Sequence, residues 1–316
     1  MEDSLFIVTH RSGFEADPII DELRRRGLNV FRFNVDDGDN VSFSSIAIDS
    51  GELSFECDGR RISNSDIALG WCQQLHPFIG QASTQRETLQ RENLLAMQMQ
   101  GFDMITAPWM NHPRDIIKAS NKINQLVHAK KMGFRVPQTL ISNDPRMIRE
   151  FASQGVIIAK NLDTPWIIES NMTSSATTRI VQESWLDNDD ALSFAPVIYQ
   201  QYIKRAKDIR ITIVDDHVFA AACRPAPHQL EDIRTGSSTG NGYELYQPSQ
   251  ELVALIQALR IELLLDYCAM DFAEDEAGNL YFLEVNTCGA WWWMDAMHNN
   301  GISKAICDTL QSYMGR

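Results

Sequence analysis

The chain opens on a short apolar run, Ser4-Leu5-Phe6-Ile7-Val8, and a helical pattern follows from Ala16 to Arg26. Gly27 closes that helix, and Leu28 to Phe33 reads as a second strand. Strand, helix and strand within one short stretch predict a βαβ unit with parallel strands. The alternation of Val41 to Arg61 predicts a hairpin, and the stretch from Gln81 to Gly101 a helix leading into the loop Thr106-Ala107-Pro108-Trp109-Met110-Asn111-His112-Pro113. A second block starts with one helix from Arg114 to Met132, ended by Gly133. Strands are then predicted at Gln138–Ser142, Val156–Lys160, Val197–Tyr202, Ile209–Val214, His217–Ala222, Cys268–Ala273 and Leu280–Val285. Polar loops separate them at Glu169–Thr178 and Arg234–Gly242. The fold class is α+β, with an α/β N-terminal part and a larger, antiparallel-rich remainder.

Composition narrows the function. At roughly 150 residues per domain, 316 residues predict about two domains. The 28 Lys+Arg against 42 Asp+Glu give a net charge of −14, which argues against coating nucleic acid and favours a cationic peptide partner. Cys57, Cys72, Cys223, Cys268, Cys288 and Cys307 are scattered without the close pairs of a zinc or redox motif. The start is acidic where a secretory signal would be basic, and the most apolar helical stretch, Leu252 to Leu265, is interrupted by Gln257, Arg260 and Glu262. A soluble, cytoplasmic protein without a membrane span is expected.

The candidate chemistry begins with Met270-Asp271-Phe272, a turn, and Phe282-Leu283-Glu284-Val285-Asn286. Alternation puts Glu284 and Asn286 on one strand face, and a hairpin would bring Asp271 beside them. Two carboxylates and an amide oxygen suit Mg²⁺; ordinary acidic residues on a solvent-facing edge would read the same way. Lys160 ends the run Val156-Ile157-Ile158-Ala159-Lys160, placed either for phosphates or for snorkelling, and Lys122 follows Ala119-Ser120-Asn121. Arg210 and Thr212 share a face of their strand, Arg224 ends the next, and Arg234 lies in the following loop. Such arginines suit either anion binding or salt bridges on an acidic surface.

Taken together, Asn121-Lys122, the segment from Gly133 to Thr139, Lys160, Tyr199-Gln200-Gln201-Tyr202-Ile203, Asp208-Ile209-Arg210, Met270-Asp271-Phe272 and Leu283-Glu284-Val285-Asn286 resemble the ATP-grasp superfamily over roughly residues 109–316. Nearly end to end the chain looks like the graspetide (microviridin-type) ligases that mature ribosomal peptides. It departs from their usual motifs at Gly70-Trp71-Cys72-Gln73-Gln74, Glu231-Asp232-Ile233-Arg234 and Gly289-Ala290-Trp291. The resemblance implies an N-terminal pre-ATP-grasp domain (1–110), a central lobe (111–200) and a C-terminal lobe with the metal site (201–316).

It also implies roles. Lys122 and Lys160 would contact ATP phosphates, Gln200 the adenine amine, the Gln201 and Ile203 backbones the adenine edge, and Asp208 the ribose. Ser170, Thr173, Ser174, Ser175 and Thr177 would cover the triphosphate in place of a glycine-rich loop. Asp271, Glu284 and Asn286 would hold Mg²⁺, two ions being usual, while Arg210, Arg224 and Arg234 hold the transferring phosphate and substrate carboxylate. The implied reaction turns Asp or Glu side chains of a precursor peptide into acyl phosphates and closes them onto Ser, Thr or Lys. The alternatives are an ATP-grasp ligase that adds a free amino acid, of glutamate-ligase type, and an ATP-binding regulatory protein without turnover. A leader segment is expected to dock on the acidic stretch containing Glu183, Trp185, Asp187, Asp189 and Asp190, which reads equally as a solvated loop. The triplet Trp291-Trp292-Trp293 lines the substrate pocket or packs in the core. The relatives also suggest a homodimer.

Overall fold

A computed structural model describes residues 3–35, 42–75, 84–162, 166–169, 172–175, 178–225 and 242–315. Its N-terminal part carries β1 (Ser4–Thr9), α1 (Ala16–Arg25), β2 (Asn29–Asn34), β3 (Ser42–Ala47), β4 (Glu52–Cys57), β5 (Arg60–Ser63), β6 (Ile67–Cys72), α2 (Gln85–Phe102) and β7 (Trp109–Met110). Strands order as β2-β1-β6-β7, and all three pairings are parallel. Every residue of β1 is buried, as a strand covered on both faces requires. Leu5 and Ile7 pack toward α1, whereas Phe6 and Val8 meet Phe55 of β4 and Phe102 of α2. Gly27, at φ +84°, lets α1 end in paired turns, with Leu28 N–H donating to the Leu23 carbonyl and Gly27 N–H to Arg24. The expected hairpin at 41–61 gains a third strand, β5.

The single helix expected over Arg114–Met132 is instead two, α3 (Pro113–Ala119) and α4 (Lys122–Lys131). Ser120 Oγ donates back to the Ile116 carbonyl, and the Asn121 side chain accepts the Asn124 N–H at 3.0 Å as an N-cap. Short polar side chains thus outcompete the continuous helix, and Lys122 becomes the first residue of α4.

Next come β8 (Thr139–Ser142), α5 (Pro145–Ala152), β9 (Ile157–Lys160), β10 (Trp166–Glu169), β11 (Met172–Ser175), β12 (Arg179–Ile180), α6 (Glu183–Leu186), α7 (Asp189–Ser193) and β13 (Val197–Gln201). The sheet β12-β9-β13-β8 is antiparallel. One expectation fails here, and a stretch open to two readings gains its local structure. The loop over Glu169–Thr178 contains a strand, since Met172–Ser175 pairs antiparallel with Trp166–Glu169; the apolar Trp-Ile-Ile run seeds that pairing. The acidic stretch from Glu183 is helical rather than a loop, because Asn188 caps the N–H of Ala191 and starts α7.

The C-terminal elements are β14 (Arg205–Val214), β15 (His217–Cys223), β16 (Tyr243–Leu245), α8 (Gln250–Glu262), β17 (Tyr267–Asp275), β18 (Leu280–Asn286), α9 (Trp292–Asp295) and α10 (Gly301–Met314). They form the antiparallel sheet β16-β15-β14-β17-β18. Ile209, Ile211, Ile213, Met270, Phe272, Phe282 and Val285 line one face and pack with Ala129 of α4 and Ile256 and Leu259 of α8. On the other face, Val214, Ala221 and Tyr267 are covered by Met294 and the α10 residues Ile302, Ile306 and Leu310, which also meet Leu5 and Ile7 of β1. The end of the chain thus seals against its beginning, reinforced by an Arg26–Asp308 ion pair at 2.7 Å.

Asn111 joins the halves. Its amide donates to the carbonyls of Tyr267 (2.6 Å) and Thr287 (3.3 Å), and its oxygen accepts the N–H groups of Asp266 and Tyr267. At 2% exposure this asparagine satisfies four backbone groups that burial would leave unpaired.

Candidate active site

The half-buried end of that second sheet face holds the expected acidic cluster. Arg210 of β14 stands directly opposite Asp271 of β17, which stands opposite Glu284 of β18, so one row of three strands carries three charges. Asn286, two residues along β18, shares that face. A β-bulge between Asp271 and Phe272 re-registers β18 just beyond the row. Arg210 Nη1 donates to Asp271 Oδ2 at 3.0 Å. Asn286 Nδ2 donates to the same oxygen at 2.7 Å and lies 3.5 Å from Glu284 Oε1. Burial pushes Asp271 up to about 6; Arg210 opposes that push, while Glu284 and Asp208 add to it.

No group of three or more His, Cys, Asp or Glu side chains arranged for a metal occurs among the described residues. The cluster instead offers two carboxylates and an amide, whose nitrogen faces the carboxylates and whose oxygen would face a cation after the side chain turns over, a hard donor set that fits Mg²⁺ and not a soft metal.

Two lysines approach each other from different elements. Lys160 ends β9 opposite Ile198 of β13. Lys122 Nζ, from the start of α4, donates to the carbonyl of Asn161, the residue after Lys160, at 3.2 Å. Gln200 is 1% exposed, and its Nε2 donates to Thr139 Oγ1 at 2.9 Å. The Gln201 N–H is given to the Gln138 carbonyl at 2.8 Å. Ile203 follows in the connection to β14 and is 9% exposed. Asp208 is buried on the Arg210 face, pairs with Arg205 at 2.8 Å, and lies opposite Cys223, itself opposite Tyr243. Arg224 is exposed just beyond β15. Arg234, Ser170 and Thr177 lie outside the described residues, as do the side chains of Thr173, Ser174 and Ser175.

Motif reading missed Glu15. Its carboxylate accepts the N–H groups of Trp291 and Trp292, both at 3.2 Å, and lies in the field of Arg210. No spacing rule connects positions 15 and 291; a carboxylate in the βα loop after β1 is the sole trace in the sequence. The tryptophans divide three ways. Trp291 is core at 1% exposure, Trp292 meets Phe14, and Trp293 packs on Tyr243 with ring centroids 4.5 Å apart. Trp71, Gln73, Tyr267, Cys288, Gly289 and Trp291 line a small cavity between the two halves. Gly289 is required there, because a Cβ would come within 2.5 Å of Ala269 Cβ.

Burial raises the Glu15 pKa more than the two N–H groups and Arg210 lower it. Its ionised form therefore carries a folding cost near neutrality that proton uptake relieves as pH falls toward the carboxylate range. Urea unfolding of wild type and Glu15→Gln should show the variant gaining stability relative to wild type at pH 7.5 compared with pH 5. A difference independent of pH would show that Glu15 does not titrate there.

On the central sheet, Arg149 of α5 forms an ion pair with Asp189 and donates to the Leu186 carbonyl at 2.7 Å. Beside them Trp185 and Phe194 are 44% and 89% exposed. No helix among the described residues is long and apolar enough to cross a membrane, and none of the six cysteines forms a disulfide.

Residues 119–308 match the RimK-like ATP-grasp domain. No curated protein matches the chain by sequence. Among solved structures, it is similar to a RiPP-associated ATP-grasp ligase of Chryseobacterium gregarium in complex with ADP and a leader and core peptide, at 25% identity and TM-score 0.89, covering 98% of this chain and 97% of that one. Macrocyclase MdnC of Microcystis aeruginosa MRC, bound with precursor peptide MdnA, superimposes at TM-score 0.84 and 21% identity over 98% and 99% of the two chains. The ATP-grasp ligase PsnB, complexed with a phosphomimetic variant of its minimal precursor, Mg and ADP, gives 0.76 and 22% over 99% of each.

Proposed function

The chain belongs to the RimK-like ATP-grasp family, and from that premise we propose that it is an ATP-dependent peptide ligase that closes macrocycles within a ribosomal precursor peptide. The observation that carries this reading is the row Arg210–Asp271–Glu284 with Asn286, a cation-and-carboxylate set on one face of the C-terminal sheet. The similar C. gregarium ligase, over nearly its whole length, is a complex with ADP, leader and core peptide.

In this reading Lys122 and Lys160 bind the ATP phosphates from two elements. Gln200, the Gln201 carbonyl and Ile203 receive the adenine, and Asp208, one oxygen of which serves Arg205, receives the ribose. Asp271, Glu284 and Asn286 hold Mg²⁺, which when bound supplies positive charge against the β- and γ-phosphates. Arg210, Arg224 and Arg234 hold a substrate carboxylate in line with the γ-phosphorus, the positioning and charge neutralisation on which phosphoryl transfer depends. Carboxylate oxygen attacks phosphorus and ADP leaves. A Ser or Thr hydroxyl, or a Lys amine, of the same peptide then attacks the acyl carbon and expels phosphate, giving an ester or amide. No protein nucleophile takes part, in keeping with cysteines whose burial raises their pKa. We place the enzyme in the cytoplasm, where cysteines outside disulfides stay reduced, as a homodimer.

The test is the intact mass of a candidate precursor, encoded beside the gene, after incubation with enzyme, ATP and Mg²⁺. One water lost per bond is expected. A gain equal to an amino-acid residue would instead assign the protein to ligases that add a free amino acid. Steady ADP release without any mass change would mean that the peptide tried is not the substrate.

Leader docking is proposed at α6, α7 and their connection, which carry Glu183, Asp187, Asp189 and Asp190 in the same stretch as the half-exposed Trp185. Changing Asp187, Asp189 and Asp190 together to Asn should weaken binding of a basic leader about tenfold at low salt and leave ADP binding unchanged, as read by fluorescence anisotropy. Unaltered leader affinity would remove these helices as the docking face.

A further inference from the structure

Phe14 and Trp292 are 60% and 48% exposed, yet they face each other edge to face with ring centroids 6.2 Å apart. Phe14 comes from the loop after β1, and Trp292 begins α9, beyond the metal strand. The shelf they make is tied to the charged cluster. Glu15, next to Phe14, accepts the Trp292 N–H and lies in the field of Arg210, which donates to Asp271. The strand order β2-β1-β6 also places Phe14 outside the carboxyl ends of β1 and β6, where the sheet reverses its winding direction and α/β sheets receive ligands.

An aromatic side chain buries roughly 150–250 Å², so two half-exposed rings offer on the order of 200 Å². A stable protein partner needs about 800 Å² per side. The shelf therefore suits one or two apolar side chains of a peptide and not a second copy of this chain.

We propose that the Phe14–Trp292 shelf is a specificity subsite that seats an aliphatic or aromatic residue flanking the acidic residue of the substrate peptide held at Arg210. The inference rests on the peptide-ligase reading above. It makes Phe14 and Trp292 substrate-selecting residues, which act on which peptide binds and not on phosphoryl transfer itself.

Two fluorescein-labelled synthetic decapeptides test it, one with a central Glu flanked by leucines, the other with serines at those positions. Dissociation constants are measured by anisotropy in the presence of Mg²⁺ and ADP. Wild type should bind the leucine peptide about tenfold more tightly. That preference should fall to about twofold or less in Trp292→Ala and in Phe14→Ala, and return in Trp292→Phe, which restores an apolar ring. ADP affinity, measured on each variant, reports folding, and Phe14→Ala supplies the answer if Trp292→Ala does not fold. Equal affinity of wild type for the two peptides, or a preference that survives both alanine variants, overturns the shelf. Binding of neither peptide by wild type that still binds ADP also overturns the subsite, whereas the peptide-ligase reading fails separately, when the precursor-mass experiment shows a gain in place of lost water.

Discussion

Glu284→Gln is expected to abolish ADP release, with a fall of at least about a thousandfold. The substitution keeps the shape and removes one of the two carboxylate charges in the row. Glu284 lies opposite Asp271 in the β17–β18 register, and Asn286 contributes only a neutral amide. With Gln, the cation set falls from two negative charges to one. Affinity for Mg²⁺ should drop accordingly, and Mg²⁺ titrations of ADP binding by calorimetry would show it. Glu284 packs on the polar face, away from the Ile209–Phe282 core, so thermal unfolding should change little. Turnover near wild type would remove Glu284 from the metal set.

Arg210→Met is expected to act on both stability and chemistry. Arg210 and Asp271 have side chains 18% and 27% exposed, and their pairing links β14 to β17. Removing the guanidinium leaves Asp271 charged beside Glu284 and Asp208, at a cost of about 3 kcal/mol. The sign of the pH dependence follows from burial. Asp271 already titrates up to about 6, and losing Arg210, its largest opposing influence, raises it further. The destabilisation should therefore be greatest above the variant's raised pKa, smaller at pH 7.5 and relieved as pH falls to 6, because the protonated carboxyl needs no partner. Urea midpoints at pH 7.5 and 5.5 measure this; equal losses at both would mean that packing, not charge, holds the two strands. Activity should fall at least about a hundredfold, the cost of deleting one preorganised charge at a reacting centre.

Much of the architecture was legible because local pattern and tertiary role agree. The βαβ start has an apolar run, a helical period and Gly27 in succession, each set by neighbours within a few residues. The acidic cluster was equally legible, since alternation on β18 fixes Glu284 and Asn286 and a hairpin can bring back only a few β17 residues. Errors arose where local alternatives are nearly balanced. Ser120 and Asn121 compete with the helix through their own hydrogen bonds, so a continuous helical pattern hid two helices. The polar stretch after Glu169 contains a strand because β10 supplies a partner that composition does not reveal. The acidic run from Glu183 folds into short helices because Asn188 caps one of them and Arg149, from another element, neutralises Asp189.

By itself, then, the sequence determined most of the elements, the α+β class and the identity of the charged groups on β14, β17 and β18, because side-chain period and capping act over a few residues. Only the tertiary structure decided what lies between the halves of the chain. Glu15 reaches the N–H groups of residues 276 and 277 positions away, Asn111 satisfies backbone on β17 and after β18, and the three tryptophans part toward three surroundings. Those contacts depend on which backbone groups burial would leave unpaired and which apolar faces remain to be covered. Both are properties of the assembled fold that no local pattern encodes.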